Sequence, residues 1–121
     1  MTSIIHPIIT EGTHIIIDIH EIENYDMLQF TQSISDILDK IVAKFNLSVV
    51  GKVMHQFEPF GVTGVYVLSE SHLSIHTFVM EKKVAMDLYT CKIFKDTNSL
   101  ITFLYELFNP CKIKYQIIGR L

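Results

Sequence analysis

The chain has 121 residues, 49% of them apolar and 19% charged, with a net charge of −3. That length holds one core, so residues 1–121 read as a single domain. The apolar content excludes a disordered chain and hints at an oligomer interface. The negative balance, with no Lys/Arg cluster against it, argues against a nucleic-acid partner.

The first fourteen residues, MTSIIHPIITEGTH, lack a basic n-region and are interrupted by Pro7, so they do not read as a signal peptide. No segment reaches the roughly 18 apolar residues of a bilayer span, so no membrane partner is expected. Cys91 and Cys111 make no disulfide framework, and the reducing cytoplasm is the expected compartment. Next, His14 to His20 (HIIIDIH) is β-branched and puts Ile15, Ile17 and Ile19 on one face of a strand. After a polar turn, Asp26 is an expected N-cap for a helix with Leu28, Phe30, Ile34, Ile37, Leu38, Ile41, Val42 and Phe45 on its apolar side.

Asn46 closes that helix, and residues 47–57 read as a second strand with an irregularity at Gly51. Pro59-Phe60-Gly61 is a turn, and residues 62–68 form a third strand with alternation at Gly64, Val65 and Val67. Ser69-Glu70-Ser71 breaks it. Residues 73–78 and 84–89 read as a hairpin joined through 79–83. Asp96 or Thr97 caps a second helix bearing Leu100, Ile101, Phe103, Leu104, Leu107 and Phe108; Pro110 ends it, and residues 111–118 form a last strand. The order β-α-β-β-β-β-α-β predicts an α+β fold: a two-layer α/β sandwich, its sheet largely antiparallel, with two helices on one face.

Between Gly61 and Cys91 stand Glu70, Ser71, His72, His76 and Cys91, each of which alone is more often a turn former or core residue than a reactive group. His72 and His76 have metal spacing on a helix, but the alternation Leu73-Ser74-Ile75 favours a strand. There, residues four apart are separated by about 13 Å, too far to share an ion. No metal is expected. A serine hydrolase lacks its GxSxG and its strand–elbow–helix context. A Cys91–His76 thiol enzyme stays open on composition but has no local signature.

The combination says more. The run ESHLSIHT (Glu70 to Thr77), preceded by GVTG (Gly61 to Gly64) and followed by DLYTC (Asp87 to Cys91), resembles the central motifs of the prokaryotic pyruvoyl-dependent S-adenosylmethionine decarboxylases. GTHIIID (Gly12 to Asp18) and His55-Gln56-Phe57 are similar to that family's G-x-H and H-x-F elements. The resemblance implies self-cleavage between Glu70 and Ser71 into a β chain, 1–70, and an α chain, 71–121, in a homodimer of cleaved protomers. It implies a covalent pyruvoyl cofactor made from Ser71 that takes the substrate amine as a Schiff base. His76, helped by the hydroxyl of Thr63, would move protons in processing. Cys91 would protonate the product carbon, and Phe57 would stack on adenine, with Glu70 also at the substrate. The implied product serves polyamine (spermidine) biosynthesis.

Three departures from the family pattern bear on this reading. Thr63 replaces a Ser, and its β-branch restricts χ1. Met80 stands where the family has a ribose-binding Glu, with Glu81 one residue on and, in a strand, on the opposite face. Lys92 replaces a Gly. The lost nucleoside contact leaves L-ornithine or L-arginine as alternative substrates for the same chemistry. An uncleaved, non-catalytic regulatory homologue is a further alternative.

Overall fold

The computed structural model describes residues 11–121. The reading of the N-terminal stretch as no signal peptide falls mainly on residues 1–10, outside the described residues. The elements run β1 (Gly12–His20), α1 (Thr31–Lys44), β2 (Val49–Gln56), β3 (Val62–Leu68), β4 (Ser71–Phe78), β5 (Lys83–Thr90), α2 (Thr97–Leu107) and β6 (Lys112–Arg120). The strands make one sheet, in the order β2-β3-β4-β5-β1-β6, and every neighbouring pair is antiparallel. The predicted element order and two-layer architecture hold.

Alternation decides the two faces. Ile15, Ile17 and Ile19 of β1, Leu73 and Ile75 of β4, and Val84, Met86 and Leu88 of β5 are buried in one cluster with Ile34, Ile37, Leu38 and Ile41 of α1 and Leu100, Ile101 and Leu104 of α2. Both helices therefore cover the same face. The apolar positions of each helix recur every three or four residues, which turns one stripe toward the sheet. On β3 the inward residues are Val62, Gly64, Tyr66 and Leu68, whereas Val67 is 45% exposed. Val65 and Val67 thus belong to the opposite face, and the large inward side chain is Tyr66. Its ring is fully buried, and its hydroxyl donates to Asp39 Oδ1 of α1 at 2.6 Å.

The first helix begins later than expected. Tyr25–Leu28 is a short 3-10 turn, and α1 starts at Thr31, so Asp26 is not its N-cap. Backbone acceptors explain the break. The Leu28 carbonyl accepts from Thr77 Oγ1, and the Gln29 carbonyl accepts from the Gly61 amide and from Gln56 Nε2. Those carbonyls are turned toward the β2–β3 turn and β4 instead of along a helix. Leu28 is buried as a result, and Phe30 is left 54% exposed. Gln56 Oε1 then accepts from the Thr31 amide at 2.9 Å, satisfying one of the orphan donors that open any helix. Asn46 closes α1 with φ +55, and the register of β2 shifts between Val49 and Gly51, both as the sequence implied.

No helix among the described residues is long and apolar enough to cross a membrane. Among the described residues, no helix lies on the second face of the sheet. That face presents Ile16, Val53, Val67, Phe78 and Ile118, each at least 36% exposed, around a row of histidines.

Candidate functional site

The β3–β4 turn is Ser69-Glu70, and Ser71 opens β4. Ser71 pairs with Leu68 on one side and Thr90 on the other, so the last residue of β5 lies alongside the turn. Cys91, the next residue, closes onto the turn: its amide donates to the Glu70 carbonyl at 3.2 Å, and its Sγ also reaches that oxygen. The carbonyl of the predicted scissile bond is thus the acceptor for both the backbone and the thiol of Cys91. The Glu70 carboxylate is held by Lys92 Nζ at 3.0 Å, and Thr90 Oγ1 donates to the Lys92 carbonyl. Lys92, read as a departure from the family pattern, anchors this turn. A cavity of about 220 Å³ adjoins it, lined in part by Ser48, Ser69, Glu70, Ser71 and Thr90.

The other expected residues are elsewhere. Thr63 and His76 face each other across β3 and β4, with Thr63 Oγ1 3.2 Å from His76 Nδ1. His76 is five residues along β4 from Ser71, about 16 Å at the rise of a strand, and its odd offset turns it to the opposite face. Phe57 lies at the same end as His76, beyond the last residue of β2, with its ring 4.6 Å from that of His55. Within one protomer, then, Glu70, Ser71 and Cys91 form one group and Phe57, Thr63 and His76 another.

Glu81 lies in the turn of the β4–β5 hairpin. Residues 79–82 are a turn, closed by the Lys82 amide donating to the Val79 carbonyl with Lys82 at φ +58, so the alternation of a strand does not apply to Met80 and Glu81. Met80 projects into solvent, 72% exposed. Glu81 instead borders a cavity of about 650 Å³ with His20, Lys83, Tyr105 and Lys112. The larger cavity lies at the opposite end of the β4–β5 hairpin from Glu70 and Cys91.

The spacing argument missed one further constellation. On the open face, Asp87 of β5 lies between β4 and β1. Its Oδ2 accepts from His14 Nε2 at 2.6 Å and from His72 Nε2 at 3.3 Å, and its Oδ1 accepts from Ser74 Oγ. Partial burial pushes the Asp87 carboxyl up, but hydrogen bonds from Ser74, His14 and His72 outweigh it and hold the group below the usual carboxylate value. His72 and His76 sit four apart on one strand, too far to share an ion. The partners of His72 come instead from neighbouring strands, through the pairings His72↔Tyr89 and His14↔Tyr89, and only knowledge of strand order could have found them. Both cysteines are free, and burial pushes the Cys111 thiol up, in keeping with a packing role.

The fold as a whole is shared with a known decarboxylase. The crystal structure of the adenosylmethionine decarboxylase from Aquifex aeolicus VF5 matches with a TM-score of 0.83 and 31% identity, covering 92% of this chain and 91% of that one. The family model described as S-adenosylmethionine decarboxylase matches residues 13–121. An S-adenosylmethionine decarboxylase proenzyme of Symbiobacterium thermophilum is 44% identical over 111 residues, 92% of this chain and 83% of that one. Another, from Clostridium botulinum strain Langeland, is 31% identical over 112 residues, 91% of this chain and 96% of that one. The chain belongs to the S-adenosylmethionine decarboxylase family.

Proposed function

We propose that this chain is a self-processing, pyruvoyl-dependent decarboxylase of S-adenosylmethionine, whose product donates an aminopropyl group in spermidine synthesis in the cytoplasm. Family membership supports the substrate, and the relatives' description as proenzymes supports maturation. The observation that carries the mechanism is the Glu70 carbonyl, held by the Cys91 amide at the residue before a serine.

Processing uses that geometry. Ser71 Oγ adds to the Glu70 carbonyl carbon as its proton passes to a base, and the Cys91 N–H stabilises the oxyanion that develops. Collapse breaks the C–N bond, so the amide becomes an ester and residue 71 gains a free amine. Loss of the residue 71 Cα proton and cleavage of its Cβ–O bond release residues 1–70 with a carboxylate. Hydrolysis of the dehydroalanine left behind expels ammonia and gives the pyruvoyl group. The residues present fit that group: position 71 is at the start of a strand, beside a thiol and a cavity. A pyruvoyl ketone supplies an electrophile for an amine and a sink for the electrons released with CO₂. Cys91 is the proton donor to the product carbon.

His76 is suited to carry the processing proton because an imidazole titrates near neutrality, but it lies about 16 Å from Ser71 along its own strand. We infer that a second copy completes the site: the protein is a homodimer of cleaved protomers, and the partner subunit's His76 and the partner subunit's Thr63 serve Ser71. The uncovered sheet face, with its exposed Ile16, Val53 and Val67, is the surface that such a dimer would bury. Phe57, from the same end as His76, stacks on adenine. Glu81 is the available carboxylate for the ribose, and Glu70 for the substrate amine.

Intact-mass analysis tests the reading. Two chains that separate before residue 71, with the shorter one trapped by hydride in the presence of S-adenosylmethionine, are expected. Trapping with ornithine or arginine alone would move the substrate to the smaller amino acids. A single uncut chain with no adduct would leave a regulatory homologue.

A further inference from the structure

The His14–His72–Asp87 constellation has no part in the chemistry above, and we propose that it is a binding site for a divalent transition ion such as Zn²⁺. His14 Nε2, His72 Nε2 and one Asp87 carboxylate oxygen all lie within 4.8 Å of one another, on three adjacent strands of the open face. Two imidazoles and one carboxylate are a borderline-soft donor set that suits zinc, cobalt or nickel better than magnesium or calcium. A tetrahedral ion with bonds near 2.0–2.1 Å sets its ligand atoms roughly 3.3 Å apart. The His72–Asp87 pair already stands at 3.3 Å, and the His14–Asp87 pair, at 2.6 Å, has to open when the ion replaces their shared proton.

The surroundings resemble an outer shell. Ser74 Oγ donates to the second Asp87 oxygen and orients the carboxylate with Oδ2 toward the two imidazoles. The ligands are poorly exposed for a surface group even in a single chain, with His14 18%, Asp87 24% and His72 40% accessible, and the dimer proposed above would enclose them further. One contact opposes the ion. Arg120 Nη1 lies 3.2 Å from His14 Nδ1 and donates to it, which keeps the His14 proton on Nε2. Coordination through Nε2 moves that proton to Nδ1, shifts the Nε2 proton of His72 to its Nδ1 in the same way, and swings the exposed Arg120 aside. No proton is lost overall, and water fills the fourth position.

The placement has a consequence. His14 lies in residues 1–70, whereas His72 and Asp87 lie in residues 71–121, and His72 is next to Ser71. An ion here ties β1 to β4 and β5 across the two chains that cleavage would create, and fixes the strand that begins at the reacting residue. That consequence rests on the cleavage reading; the site itself does not.

Chelator-treated protein titrated with Co²⁺ and Zn²⁺ provides the test. One equivalent per chain is expected, with the visible Co²⁺ bands of a tetrahedral nitrogen–oxygen site. The uncut Ser71→Ala chain should bind equally, so a failure of processing and a failure of the site remain distinct. Asp87→Asn and His14→Gln should lose the bands while keeping a native circular-dichroism spectrum. Ser74→Ala should weaken affinity by about 10-fold or more, the usual cost of losing an outer-shell partner. Arg120→Gln should tighten it several-fold. Wild-type protein that takes up no Co²⁺ or Zn²⁺, Co²⁺ bands that survive both ligand substitutions, or thiolate-to-cobalt absorption from Cys91 would overturn the proposal.

Discussion

The two ends of the central strands carry different halves of the proposed chemistry. At the β3–β4 turn, Glu70, Ser71 and Cys91 are brought within hydrogen-bond reach, because antiparallel pairing sets the end of β5 beside the start of β4. At the far end, Thr63 and His76 touch each other and no member of the first group. Residues adjacent in a motif are therefore not adjacent in space: ESHLSIHT is extended, and its Ser and second His are the length of a strand apart. The proposed nucleophile and proton carrier cannot meet within a chain, which is why the proposal calls for a second one.

The most damaging break in this comparison is Ser71→Ala. It should abolish cleavage and decarboxylation together, seen as one full-length mass and no CO₂ release. Decarboxylation by an uncut Ser71→Ala chain would end the pyruvoyl mechanism. Cys91→Ala, at the same turn, should leave cleavage largely intact, because the backbone N–H that polarises the Glu70 carbonyl remains. Turnover of the mature enzyme should fall by about 10²–10⁴-fold, the range expected for a lost general acid.

The far end is tested by mixing. His76→Ala alone should stay uncut. Co-expressed with Ser71→Ala, it meets a partner with an intact His76, and random pairing should let about half of the His76→Ala chains cleave. If the site were complete within one protomer, no mixture would rescue it. Thr63→Ser at the same end should speed the appearance of the cut chains several-fold without changing their final amount, since it removes a χ1 restriction and keeps the hydroxyl.

What could be read in advance differs between the same two regions. The strands announced themselves through β-branched alternation, and the ends of both helices through Asn46 and Asp96. The start of α1 did not, because the carbonyls of Leu28 and Gln29 are captured by Thr77, Gln56 and Gly61, residues 27 to 49 positions away. Motif spacing singled out Ser71 and Cys91, which strand pairing sets at the same turn. It left the direction of Glu81 open, because strand alternation does not carry through residues 79–82, which form a turn. It could not find Asp87 with His14 and His72, since those contacts depend on β1 being inserted between β5 and β6. Local patterns reveal elements; strand order reveals sites.

The smallest expected effect separates structure from chemistry at Asp87, which belongs to neither end. Its carboxyl is held below the reference value of 3.8 in the folded protein, partial burial being outweighed by hydrogen bonds from Ser74, His14 and His72. A folded pKa below the unfolded one means that the unfolded chain binds more protons in acid, so stability falls as pH falls. The contribution is complete above the unfolded value and disappears as pH drops through the lowered one. In chelator, urea unfolding of Ser71→Ala and of Ser71→Ala/Asp87→Asn, both uncut, should differ by about 1 kcal/mol near neutrality. That gap should close as the solution is acidified below the unfolded carboxylate range. A gap unchanged by acid would assign Asp87 a packing role and remove the carboxylate from the account of the open face.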